Sequence, residues 1–268
     1  MDFTPQSRNL IGAGVGVVLL ISLGVYFFLG QNEEPVPVPE TVAETPPPPP
    51  PPPPPEPDPE PFELPALSDS DALVRELVAA LSAHPGFAAW LVTDDLIRRF
   101  VVAVENVANR RNPAQHVPFM RPDSRFQTEG AEPEMRIAPA SYRRYDGVTQ
   151  IIASLDTNGT TQLYRQLLPL MNEAHAELGI PDATFSDSVL RAVVHVLEAP
   201  VIEGRPTIEP RASFYYEYTD PVLEGLSAPQ KQLLGMGPEN IRTIQGTIRD
   251  IATAIGITNL PRGTVLVR

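Results

Sequence analysis

Between residues 66 and 256 the apolar positions recur at the spacing of amphipathic helices. Leu73, Val74, Leu77, Val78 and Leu81 form the first stripe, behind Ser68-Asp69-Ser70-Asp71, which predicts a capping box. Pro85-Gly86 breaks it, and a short turn carries Phe87 and Trp90. Thr93-Asp94-Asp95 predicts the cap of a strongly amphipathic helix, with Leu96, Ile97, Phe100, Val101, Val104 and Val107 on its apolar face. Arg98, Arg99, Glu105 and Asn109 fall on its polar face, and Asn112-Pro113 ends it.

Residues 113–137 predict a long loop in which Arg125–Thr128 pairs with Met135–Ile137 as a short hairpin. Helical spacing resumes at Pro139 and runs through Tyr142, Tyr145, Val148, Ile151, Ile152 and Leu155. A helix over Thr161–Leu178 follows, with Gly179 as its C-terminal cap. Phe185-Ser186-Asp187 predicts the cap of the next, whose core face is Val189, Leu190, Val193, Val194 and Leu197, with His195 on the polar side.

Pro206–Ile208 and Ser213–Tyr218 predict a second hairpin, with Phe214, Tyr216 and Tyr218 on one face and Tyr215 and Glu217 on the other. Leu223–Leu226 and Ala228–Leu234 predict short helices, and Pro238 opens a last helix through Ile241, Ile244, Ile248, Ile251 and Ile255. Thr264–Val267 is either one strand or disordered. The expected fold is mainly α: a helical globular domain with one or two small β-hairpins.

The N-terminal part has a different pattern. Leu10–Gly30 contains one polar side chain, Ser22, and no charge. About 20 helical residues cross a bilayer core, and the bulky Tyr26-Phe27-Phe28-Leu29 end lacks the small residues a signal peptidase requires. The segment predicts an uncleaved transmembrane signal anchor. Arg8 on one side, with only acids on the other, orients the N-terminus to the cytoplasm and the rest outward, across a bacterial inner membrane into the periplasm. Gly12 and Gly16 form a GxxxG pair, the spacing through which two such helices form a homodimer.

Residues 35–65 hold 17 prolines, ten of them consecutive at 46–55. Proline fixes φ and drives its predecessor into extended geometry, so the run predicts a stiff polyproline II rod reaching roughly 80–90 Å if fully extended. The expected organisation is a cytoplasmic N-terminus (1–9), the anchor in the lipid bilayer (10–30), a proline- and glutamate-rich linker (31–65), a helical domain (66–256) and a C-terminal tail (257–268).

Charge sharpens this division. Of the formal net charge of −13, eight negatives (Glu33, Glu34, Glu40, Glu44, Glu56, Asp58, Glu60 and Glu63) lie in the linker without a base, leaving −5 for the globular part. A domain so near balance carries no broad footprint for nucleic acid. With no cysteine in the chain, disulfides, thiolate metal sites and cysteine nucleophiles are excluded.

Chemistry-bearing residues are sparse. His84, His116, His175 and His195 show no metal-binding spacing, and no nucleophile elbow or phosphate-binding loop occurs. No catalytic, cofactor-binding or metal-binding residue is assigned. The candidate interaction residues are Tyr216, Tyr218, Asp220 and Glu224, where carboxylates meet aromatic surfaces, with Arg143 and Arg144 as an anion-binding pair.

Three stretches carry a resemblance: LPALSDSDALVRELV (64–78), WLVTDDLIRRFVVAVENVA (90–108) and YTDPVLEGLSAPQKQLLGMGPENI (218–241). With Phe126, Arg144-Tyr145, the helix from Tyr164 to Pro169, Leu178-Gly179 and Phe185, they resemble the bacterial DUF3014 family over roughly residues 62–256. The family pattern has an arginine before Met-Gly-Pro, where this chain has Gly235. The resemblance implies an N-terminal anchor and a proline-rich spacer, and implies no activity. The expected function is a non-enzymatic interaction domain, held off the membrane by the rod and facing an envelope protein or the cell wall. The alternative is a tethered enzyme acting on cell-wall glycan or peptide through Glu217, Asp220 and Glu224.

Overall fold

The computed structural model describes residues 63–181, 183–211 and 215–267. The anchor at 10–30 with Gly12 and Gly16, the linker up to residue 62, and Phe214 lie outside the described residues. Among the described residues no helix is long and apolar enough to cross a membrane.

Helix α1 (Asp71–Ala79) turns Val74 and Val78 inward. Its predicted capping box is absent: Ser70 Oγ donates back to the Leu67 carbonyl, and Asp71 is used elsewhere. Helix α2 (Leu96–Ala108) begins after Asp95, which stands in the left-handed region at φ 57° and makes no side-chain cap. The caps come instead from α1. Asp71 Oδ2 accepts the Asp95 amide at 2.7 Å and Oδ1 accepts the Leu96 amide at 2.9 Å. A carboxylate there also faces the positive end of the helix dipole.

The helix expected from Pro139 to Leu155 is two helices, α3 (Pro139–Arg143) and α4 (Asp146–Ala153), broken at Arg144-Tyr145. Helix α5 (Thr157–Ala176) starts earlier than its apolar stripe, because Asp156 caps it through the Gly159 amide. Helix α6 (Phe185–Leu197) is capped by Thr184, whose side chain and that of Asp187 form a reciprocal box; Phe185 is the first helical residue and fully buried. Leu190, expected in the core, is 42% exposed, and Ala192 and Val196 are buried instead. Short helices α7 (Pro221–Glu224) and α8 (Ala228–Leu234) precede the long α9 (Pro238–Ala254).

Helix α2 packs on α5 and α6, and α9 packs on α4, α5 and α6, so these apolar faces share one core. Two polar residues assigned to solvent sit inside it. Glu105 of α2 and His195 of α6 are both buried. Glu105 Oε1 accepts from Asn109 Nδ2 at 2.6 Å, and Arg191 and His175 stand within 3.6 Å of its carboxylate. His195 Nε2 lies 2.7 Å from Ser227 Oγ, the cap of α8. Each group escaped solvent because a partner from another helix meets it.

Among the described residues six short strands pair two by two. Strands β1 (Thr128–Glu129) and β2 (Arg136–Ile137) are antiparallel, with Thr128 opposite Ile137. Strands β4 (Ile208–Arg211) and β5 (Tyr215–Tyr218) form the second hairpin, with Ile208 opposite Tyr218. A bridge between Arg136 and Thr207 and the bond from the Ile208 amide to the Met135 carbonyl join the hairpins. The remaining pair was not predicted. Strand β3 (Val201–Glu203) runs parallel to β6 (Val265–Val267), with α7, α8 and α9 between them in the chain.

Candidate functional site

The two hairpins and α8 enclose a cleft of about 180 Å³. Ile137 from β2 and Ile208 from β4 give it an aliphatic wall, and Tyr216 and Tyr218 enter from β5. Alternation along β5 puts both tyrosines on one face, and the Ile208–Tyr218 register sets them over the hairpin partner. Glu224 comes from α7, and Lys231, Gln232 and Gly235 come from α8 and its end.

Phe126 closes the wall from the long loop. Its ring centroid stands 5.3 Å from that of Tyr216, at a tilt of 46°. Phe126 is held from behind by Arg144, whose guanidinium lies 5.4 Å from the Phe126 ring and 5.5 Å from that of Tyr145. Arg144 donates to the carbonyls of Ser141 at 3.1 Å and Ser124 at 3.0 Å, and burial works against its charge. The guanidinium therefore clamps the loop to the α3–α4 joint by hydrogen bonding and cation–π contact.

The charges in the cleft are compensated. Lys231 Nζ meets Glu224 Oε1 at 2.5 Å, and Glu224 Oε2 accepts the Tyr218 amide at 2.9 Å. Burial, with Tyr142 and Glu224 nearby, pushes the Tyr218 phenol far up, so it acts as a neutral hydroxyl. Gln232 is nearly fully buried and donates through Nε2 to Tyr145 Oη at 3.0 Å.

Three of the six candidate residues, Tyr216, Tyr218 and Glu224, thus share one cleft, and Arg144 supports its wall. Asp220 sits beside it as the cap of α7, accepting the Val222 amide at 2.8 Å. Arg143 opens onto a different cleft, of about 380 Å³, with Tyr142, Arg205 and the start of α9. Arg143 ends α3 while Arg144, in the break before α4, turns to Phe126 and Tyr145, so the two arginines form no common anion site. Glu217, on the other face of β5, pairs with Arg211 Nε at 2.8 Å. Among the described residues no group of three or more His, Asp or Glu side chains is placed to hold a metal ion.

Sequence reasoning did not find Asn112, Phe126, Lys231 or Gln232 as lining residues. Phe126 carried the one available signal, an aromatic in a polar, proline-rich loop. A family model described as a protein of unknown function (DUF3014) matches residues 96–252, from the first residue of α2 to just short of the end of α9. All lining residues of the cleft fall within that stretch. No curated protein and no solved structure matches the chain.

Proposed function

We propose that this chain, which belongs to the DUF3014 family of proteins of unknown function, is a membrane-tethered binding module. A single-pass anchor at residues 10–30 holds it in the bacterial inner membrane with its N-terminus in the cytoplasm. The proline rod sets the helical domain out in the periplasm, and the domain engages an envelope component without turning it over. The observation that carries this reading is the state of the carboxylates. Glu224 is paired with Lys231 and a backbone amide, Glu217 with Arg211, and Asp220 caps a helix. General acid–base chemistry requires a carboxyl within hydrogen-bond reach of a substrate proton and tuned to exchange it. Each of these three is instead engaged in local structure, while the aromatic and amide groups beside them remain available for contact.

The rod is tested by deleting Pro46–Pro55. Loss of in-cell crosslinking between the domain and its target is expected, because the reach shortens by about 3.1 Å per residue removed. Full crosslinking with the shortened rod would remove reach as its purpose. Alanine at Glu217, Asp220 and Glu224 separates binding from catalysis. Muropeptide profiles should be unchanged; a profile that shifts in a folded variant would favour the enzyme.

A further inference from the structure

We infer that the cleft between the β4–β5 hairpin and α8 binds one ring of a glycan, uncharged where it is held. The inference rests on the domain being a binding module and names its ligand class.

The platform is Tyr216. It is 38% exposed, and its neighbour Phe126 already carries Arg144 against its ring. Tyr216 therefore has aromatic surface left for a ligand. A sugar ring has a face of C–H bonds that lies on an aromatic ring and a periphery of hydroxyls that require donors and acceptors, which is the mixed chemistry this cleft offers.

The floor is a set of neutral polar groups with unused capacity. Gln232 is 4% exposed, and its amide nitrogen is engaged by Tyr145. Its carbonyl oxygen has no partner among the described residues. Asn112 is fixed through its carbonyl by the Ala114 amide at 2.9 Å, and its NH2 group likewise has no partner among the described residues. Tyr218 lines the same cleft. An acceptor, a donor and a hydroxyl-bearing side chain thus line one small space, and the hydroxyls of a sugar ring can pair with each.

Charge and size narrow the class. Glu224 and Lys231 neutralise each other at 2.5 Å, so an anion would meet the carboxylate and a cation the ammonium. The volume of about 180 Å³ is below the roughly 300–1,000 Å³ usual for drug-sized ligands, which fits one ring of a chain whose neighbours cross the rim. A peptide adding as a strand is disfavoured, because the outward amide of Tyr218 is already taken by Glu224.

The test uses the full-length chain in a detergent without a sugar headgroup. Saturation-transfer NMR is run with an N-acetylglucosamine trimer, a glucose trimer and a soluble muropeptide. Transfer to ring protons of at least one probe is expected, and the responding probe distinguishes cell-wall glycan from other polysaccharide. Tyr216→Ala should weaken that binding about tenfold or more with an unchanged melting curve, and Tyr216→Trp should retain it. Gln232→Leu should weaken it as well. Absence of transfer from all three probes, or transfer indifferent to both Tyr216→Ala and Gln232→Leu, overturns the inference. A photocrosslinker at position 216 in cells separates the two levels. A protein adduct without sugar binding overturns the glycan and keeps the binding module, and neither adduct nor sugar binding overturns both.

Discussion

The Asp71 carboxylate accepts the Leu96 amide at 2.9 Å, so the first turn of α1 caps the first turn of α2. The second oxygen takes the Asp95 amide at 2.7 Å. Arg75, one turn further along α1, donates to the carbonyls of Leu91 at 2.7 Å and Thr93 at 3.1 Å. One face of α1 thus holds the whole approach to α2. Asp71→Ala should lower stability by about 1–2 kcal/mol, the range for losing a helix cap, and Asp71→Asn by less. Urea unfolding with an unchanged slope checks it; a midpoint equal to wild type would show that the clasp contributes nothing.

Gly237 and Gly246 should respond in opposite directions to alanine. Gly237 opens α9 at φ 85°, and a Cβ there would stand 2.7 Å from Tyr142 Cγ. Gly237→Ala should destabilise by about 2–4 kcal/mol through backbone strain and ring displacement. Gly246 lies inside α9 with nothing within 4 Å of its Cβ position, so Gly246→Ala should stabilise by up to about 1 kcal/mol. Thermal melts of the two variants are the measurement, and a shared direction would refute the assignment.

Glu105 predicts an acid-side dependence. Burial opposes its charge, but Ser188, Asn109, Arg191 and His175 outweigh that and hold the carboxyl below its ordinary value. A group depressed in the folded state contributes stability above its unfolded pKa, about 4.3, and loses it as pH falls through the folded value. The advantage of wild type over Glu105→Gln should therefore shrink on acidification below about pH 4.5. Glu105→Ala should cost about 2–3 kcal/mol at neutral pH, since it strands buried partners. Denaturant titrations across pH test both, and an advantage that grows with acid would reverse the sign.

His195 predicts a second dependence nearer neutrality. Burial, with Arg110 adding to it against the opposing Glu198, holds its pKa below the ordinary histidine value. The unfolded chain then takes up the proton first as pH falls through about 6.5, so stability declines from there down to the folded pKa. His195→Gln should flatten that part of the profile. NMR titration of the ring, with a midpoint at or above that of a free histidine, would contradict it.

Periodicity carried most of the helical layout because a long apolar stripe is a local signal. Helices α2 and α9 lie where their isoleucines, valines and phenylalanine place them. Caps were less legible, since sequence proximity nominated Ser68–Asp71 as a box for α1 and Thr93–Asp95 as the cap of α2, whereas Asp71 reaches across from α1 to cap α2. Burial of Glu105 and His195 was hidden for the same reason: a helical wheel assigns polarity, and only the packed neighbour supplies the partner. In the cleft, strand alternation revealed Tyr216 and Tyr218 together. Asn112, Phe126, Lys231 and Gln232 join them from distant segments, so no spacing announces them. Arg143 and Arg144, adjacent in the chain, part company because the helix ends between them: Arg143 opens onto one cleft and Arg144 braces Phe126 in the wall of the other.

The parallel pairing of β3 with β6 sets an order of assembly. A chain made from its N-terminus delivers Val201–Glu203 before α7, α8 and α9, and the strand that covers it arrives only after them. Until then the side of β3 that β6 takes up is without its strand partner. The β3–β6 pair is therefore the last part of the domain to form during synthesis, after the helices that make the core.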